Sequence, residues 1–345
     1  MQLRSPLLAT SLALAIASLA ACSSTQPPAA SAAPAPVAAA PAPAAAPITQ
    51  SNAAQAASAA YDFDMDVFHP VVGRSGMVAS EQELASRIGL QILKSGGNAV
   101  DAAVAMGFAL AVALPNAGNI GGGGFMVVHD AKSGKNIALD FREVAPSKAT
   151  RDMYVGADGK VIDGKSLYTH YAVGVPGTVA GMEHALKKWG SLPLSTVIAP
   201  AAKLADKGFT VSETLAKILE QEKKNMGQWP ATQAIFWRNG EPLKRGDRLV
   251  QKDLAQSLRL IGQQGSKVFY EGSIARKIAA EMAPHAGALS LQDLKSYKVA
   301  EREPLRGTYR GYEIVTMPPP SSGGAHLIQI LNMMERWPMN QWGVN

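Results

Sequence analysis

The stretch NIALDFREVAP, Asn136 to Pro146, decides how this chain is read. Its apolar residues alternate: Ile137, Leu139 and Phe141 fall on one face, Ala138, Asp140 and Arg142 on the other, which is the two-residue period of a β-strand. Arginine cannot shed its charge, so an arginine in so apolar a neighbourhood needs a partner, supplied by the protein or by a ligand. Just upstream, FMVVHD and AKSGK complete a hairpin around Ser133 and Gly134. Arg142 then lies at the far end of the second strand, beside loops, where sheet proteins commonly hold ligands.

The hairpin is preceded by NAGNIGGGG, residues 116–124. A phosphate-binding loop runs strand, glycines, helix N-terminus; here the order is helix, glycines, strand, with no Lys-Ser/Thr following. The glycines are better suited to bending the backbone sharply and packing it close beneath a pocket. Further upstream, SEQE at 80–83 predicts a helix opened by a capping box, Ser80 with Glu83, and stopped at SGG, 95–97. Asn98 caps a second helix with Asp101 in its first turn, and AAVAMGFALAVAL is apolar on every side up to Pro115. Such a helix belongs in the core, and is expected against a sheet. Downstream, segments beginning at Thr178, Leu194, Glu213, Lys252 and Ser273 have the period of amphipathic helices, their charges on solvated faces. Near the end, YRGYEIVTMPPPSSGGAHLIQILNMMERW reads as a strand, a stiff loop and a helix starting near Gly324.

The first sixty residues are of another kind. Arg4, an apolar run from Leu7 to Ala20 and small residues before Cys22 make an export signal over 1–21. Leu19 to Cys22, LAAC, resembles the lipobox of bacterial lipoproteins, which implies cleavage before Cys22 and lipid on its sulfur; the alternative is an ordinary cleaved signal with an incidental cysteine. Ser23 does not suggest retention in an inner membrane, so the expected location is exported, on the periplasmic side, anchored by lipid to an outer membrane. Residues 22–60 are Ala, Pro, Ser and Gln with hardly a charge, unable to bury enough surface to offset their ordering entropy, and are expected to form a disordered tether. The folded region is expected over 61–345.

Composition excludes some functions. The net charge is +6, but Lys and Arg are spread without a basic run or interleaved aromatics, so nucleic acid is not an expected partner. Cys22 is the only cysteine, which leaves no disulfide and no Cys-based zinc site within one copy. The six histidines, His69, His129, His170, His184, His285 and His326, show no HExxH spacing, so no metal and no cofactor is expected and each is assigned a structural role. A G-x-S-x-G elbow is absent as well. Composition and spacing stop at an exported, tethered α/β or α+β protein with one conspicuous arginine.

The residues go further. In order, FHPVVGRSGMVAS, ILKSGGNAVDAAVA, GNIGGGGFMVV, DFREVAPSKATRDMY, GVPGTVAGM, VFYEGSIA and YRGYEIVTMPPPSSGG resemble the large subunit of the gamma-glutamyltranspeptidases, over roughly four-fifths of the chain from Phe63 on. The resemblance implies an α+β fold of the N-terminal nucleophile hydrolase type, an αββα sandwich of which this chain is the large-subunit part. It also implies a precursor that cuts itself before a threonine, whose freed amine then serves as base for its own hydroxyl. That threonine attacks a gamma-glutamyl amide, usually of glutathione, and the acyl group passes to water, an amino acid or a peptide. Arg142, in DFRE, would hold the substrate's α-carboxylate through a forked contact; the alternative is a permanent ion pair of Arg142 with Asp140 or Glu143.

The chain also departs from that pattern. The threonine nucleophile is expected beyond Asn345, with the small-subunit partner that would complete the site, so no catalytic residue is assigned within the chain and it is expected inactive alone, with apolar surface exposed. LYTHYAV, 167–173, imitates a processing site with Thr169 and His170 but directly precedes GVPGTVAG, a large-subunit position, so Thr169 is not assigned as nucleophile. Two further readings stay open: a related cephalosporin or glutaryl acylase, and a non-catalytic, lipid-tethered protein that binds gamma-glutamyl compounds.

Overall fold

The computed structural model describes residues 72–342. The export signal over 1–21, Cys22 and the tether over 22–60 lie outside the described residues, as does His69. The chain divides between Tyr61 and Asp62, and every described element belongs to the unit Asp62–Asn345.

Helix α1, Glu83–Lys94, starts later than the capping-box reading of Ser80 and Glu83 requires. Gln82 is the N-cap: its Oε1 accepts from the amides of Leu84 at 2.5 Å and Ala85 at 3.4 Å. Glu83, already inside the helix, pairs with Arg87 one turn on instead. The C-terminal end is as expected. Gly96 adopts φ +91°, and the amides of Gly97 and Gly96 close onto the carbonyls of Ile92 and Leu93, the paired bonds of a Schellman stop.

Helix α2, Ala99–Ala113, is capped by Asn98 with a full capping box, the Asp101 carboxylate accepting from the Asn98 amide at 2.8 Å. Asp101 is fully buried, and it also accepts from Ser191 Oγ at 2.6 Å and the amides of Ser191 and Leu192. Burial pushes its carboxyl up, but those four donors outweigh burial and hold it below its ordinary value. The buried charge thereby ties the start of α2 to the loop between the next two long helices.

Strands β1, Phe125–Asp130, and β2, Lys135–Asp140, form the predicted hairpin, with Phe125 opposite Asp140 and Asp130 opposite Lys135. Helix α3, Thr178–Trp189, and helix α4, Leu194–Lys207, follow, then α5, Glu213–Gln221, α6, Lys252–Gln264, and α7, Ser273–Met282. Strand β3, Ala300–Arg302, adds antiparallel to β2, giving the order β1-β2-β3. Strands β4, Leu305–Tyr309, and β5, Tyr312–Thr316, make a separate hairpin, and α8, Gly323–Met334, begins one residue before the expected Gly324.

The core is chiefly helical. Helix α4 packs on both α2 and α6, and α1 lies along α2. The expectation that α2 rests on a sheet is thus corrected: its main neighbours are α1, α3 and α4. The alanines along it leave its backbone close to other helices, which satisfies an all-round apolar surface as well as a sheet would. Val104, Phe108, Val112, Ile198, Leu258 and Ile261 sit at its centre with essentially no exposure. Gln251 Nε2 crosses this core to donate to the Val112 carbonyl at 2.8 Å, satisfying a buried helix end.

Candidate functional site

The end of β2 sets the site. Beyond Asp140 the ladder gains one more rung, with Gly124 and Phe141 exchanging backbone bonds at 3.2 and 3.0 Å. The strand is buried on both faces at this point, since Ala138, Leu139, Asp140 and Phe141 are all buried. The buried charge in the stretch is therefore Asp140, not Arg142. Asp140 Oδ2 accepts from Arg302 Nε on β3 at 2.8 Å, and its Oδ1 accepts from the backbone amide of Arg142 at 3.0 Å.

The expectation that Arg142 sits in an apolar neighbourhood is corrected accordingly, since its side chain is exposed, while its place at the strand end beside loops is as expected. The reason is that the ladder ends at Phe141, so Arg142 belongs to the rim rather than to the pleat. The guanidinium stands over a cleft of about 540 Å³ bordered by Asn119, Gly122, Glu143, Tyr154, Tyr171 and Gly174. Its Nη1 donates to the Pro320 carbonyl of the PPPSSGG loop at 3.3 Å, and it makes no ion pair among the described residues. With Asp140 committed to Arg302, the guanidinium is left available to an incoming anion.

The backbone around Arg142 is held from several directions. Tyr297 donates its hydroxyl to the Arg142 carbonyl at 2.9 Å. Burial pushes the Tyr297 phenol up, and the negative charges of Asp140 and Glu143 push it the same way, so the hydroxyl stays a proton donor. Tyr297 stacks on Tyr270 with ring centres 5.7 Å apart, and Tyr270, its phenol likewise raised by burial, donates to the Pro176 carbonyl at 2.9 Å. Val144 and Val175 then exchange backbone bonds at 3.3 and 2.8 Å, pinning the exit from the strand to the start of GVPG. The glycine run acts as expected beneath this cleft: the Gly122 carbonyl accepts from the amides of Gly177 and Thr178 at the start of α3.

Sequence reading did not connect Tyr297, Arg302 or Pro320 with this site, because they stand 155 or more residues from Arg142. It also missed a second cluster. His170 and His285, assigned separate structural roles in the sequence, come together with Glu281, whose charge was placed on a solvated helix face, their ligand atoms within 4.8 Å of one another. Only the spacing of Glu281 and His285, four apart, was there to be seen. Thr169 lies beside them, its hydroxyl donating to the Lys165 carbonyl at 2.6 Å.

Comparison with known proteins agrees with this arrangement. The sequence model of the family described as Gamma-glutamyltranspeptidase matches residues 85–345. A glutathione hydrolase proenzyme of Escherichia coli is 51% identical over 292 residues, covering 84% of this chain and 50% of that protein. The acylase ACY 1 proenzyme of a Pseudomonas strain is 40% identical over 280 residues, covering 79% of this chain and 50% of that protein. The crystal structure of the Helicobacter pylori gamma-glutamyltranspeptidase superimposes with a TM-score of 0.77 at 47% identity, over 80% of each chain. The chain spans about half the length of the curated relatives it matches. Its mixture of helices with antiparallel strands is the α+β fold of N-terminal nucleophile hydrolases, as the sequence resemblance implied. The chain belongs to the gamma-glutamyltranspeptidase family.

Proposed function

We propose that the whole protein transfers or hydrolyses gamma-glutamyl groups, taking them from glutathione and related amides through a gamma-glutamyl-enzyme intermediate. One observation carries this reading: the Arg142 guanidinium faces a cleft with its backbone fixed on both sides and no carboxylate committed to it among the described residues. A planar fork of donors suits the α-carboxylate of a glutamyl substrate, and each charge-assisted bond of this kind contributes about 1.5–3 kcal/mol. Binding at Arg142 leaves the substrate's far, gamma end to the reacting group. That group, a threonine with its own freed amine as base, is proposed to lie outside these 345 residues, in a small subunit cut from the same precursor. The half-length match to the relatives named as proenzymes supports this division.

The test uses the full-length protein with a gamma-glutamyl anilide. Arg142→Lys is expected to raise KM steeply, because one ammonium cannot reproduce the forked contact. An unchanged KM would remove Arg142 from the role. A second reading, an acylase for glutaryl or cephalosporin side chains, is favoured by the 40% identity to the ACY 1 proenzyme. Competition separates them: glutamate suppresses turnover in the first case, a glutaryl compound in the second.

For location, we propose that Cys22 is lipidated and holds the protein on the periplasmic face of an outer membrane, supported by the LAAC stretch at 19–22. No helix among the described residues is long and apolar enough to cross a membrane. Cys22→Ser is expected to move the protein from the membrane to the soluble fraction; retention in the membrane would discard the anchor.

A further inference from the structure

We propose that His170, Glu281 and His285 form a binding site for a transition-metal dication of the zinc class. His170 opens the short 3-10 turn His170–Ala172, Glu281 lies in the last turn of α7, and His285 sits in the turn just after it. Glu281 Oε1 is 3.4 Å from His170 Nε2 and 3.5 Å from His285 Nε2. Those separations are long for charge-assisted hydrogen bonds, which prefer about 2.7–2.9 Å. They match the edges of a tetrahedral zinc site, where bonds of about 2.0–2.1 Å put neighbouring ligand atoms roughly 3.3–3.4 Å apart.

The surroundings fit the same reading. The two imidazoles stack with centres 4.1 Å apart and planes 12° from parallel, so their lone pairs run side by side rather than converge. A turn of the His285 ring about its broad χ2 torsion would bring its nitrogen toward an ion held by His170 and Glu281. His285 has room for that turn, with 41% of its side chain exposed, whereas His170, at 13%, is the fixed member. Trp229 meets both rings edge-on, at 5.0 and 5.8 Å, as an apolar wall that lowers the local dielectric. A cavity of about 590 Å³, bordered by Thr169, Trp229 and Met282 as well as the three ligands, leaves the fourth position open to water or a small donor.

Two imidazoles and one carboxylate suit zinc, cobalt or nickel; calcium and magnesium need more oxygen donors than the cluster offers. The site also has a structural reach. Tyr171, Ala172, Val173 and Gly174, directly after His170, line the Arg142 cleft, so an ion on His170 would brace one wall of it. The binding claim itself stands apart from the gamma-glutamyl reading, because it is read without turnover.

The experiment is zinc competition between the full chain and a chromogenic zinc chelator, with melting curves recorded alongside. One equivalent of zinc is expected to be withdrawn from the chelator, while calcium and magnesium have no effect. His285→Gln and Glu281→Gln, both at exposed side chains, are each expected to weaken binding by roughly a hundredfold. They should also abolish the rise in Tm that zinc produces in the unsubstituted chain. Failure of the chain to compete with the chelator would overturn the site. So would affinity that survives both substitutions, since the zinc would then be bound elsewhere.

Discussion

At the scale of single residues, the division of labour between Asp140 and Arg142 sets the site's electrostatics. Asp140 is nine-tenths buried and neutralised by Arg302, whereas Arg142, two residues on, is exposed and unpaired among the described residues. Exchanging those roles would bury an unpaired guanidinium, at a cost of several kcal/mol. A second carboxylate braces the same stretch: Asp293 Oδ1 accepts from the Ser147 amide at 2.8 Å, while its Oδ2 accepts from Ser290 Oγ and the Ser290 amide. Burial pushes the Asp293 carboxyl up, but these donors prevail and hold it at about 2, below its ordinary 3.8. A depressed carboxyl stabilises the fold fully above its unfolded value and loses that contribution as pH falls through the folded one. Asp293→Asn is therefore expected to lower Tm at neutral pH and to flatten the melting-temperature profile between pH 4 and pH 2. An acid limb identical to the unsubstituted chain's would show that Asp293 is not the group titrating there.

At the scale of elements, the contact of α3 with β2 is the tightest constraint around the cleft. A β-carbon on Gly177 would lie 2.0 Å from the Phe141 carbonyl and 2.1 Å from the Tyr297 hydroxyl. Its φ of −117° is open to any residue, so the demand for glycine there is purely one of space. Gly177→Ala is expected to cost about 3 kcal/mol through forced separation of helix and strand. A calorimetric scan should record that as a fall in Tm on the order of 6–12 °C; a fall of less than a degree would mean that the two elements part easily. The hairpin, the Schellman stop of α1 and the cap of α2 were all legible, because each follows from residues within a few positions of one another. Ser80 and Glu83 misled because Gln82, two positions on, caps the amides of Leu84 and Ala85 instead, so the helix starts later than Ser80 would start it.

At the scale of the whole molecule, α8 carries its apolar residues outward. Leu327, Ile330 and Met333, three apart on one face, are each about half exposed, and Trp337 follows them. Such a stripe is the mark of a surface that another polypeptide covers, in accord with the proposed small subunit. The 345-residue chain on its own is expected to associate with rising concentration and to bind a hydrophobic dye, and Ile330→Glu combined with Leu327→Lys should reduce both. A monodisperse monomer that binds no dye would argue against a covered face.

What the sequence determined by itself is the local grammar: a strand period of two in NIALDFREVAP, helix periods and stops around it, and an ordered set of motifs specific enough to name a family. These are short-range because hydrogen-bonded turns and alternating side chains are properties of neighbouring residues. Only the tertiary structure decided which charge in that strand is buried, which tyrosine fixes the Arg142 carbonyl, and that His170 meets Glu281 across 111 residues. Partners of that kind are chosen by how helices and sheet pack in space, and packing leaves no periodic trace in the order of residues along the chain.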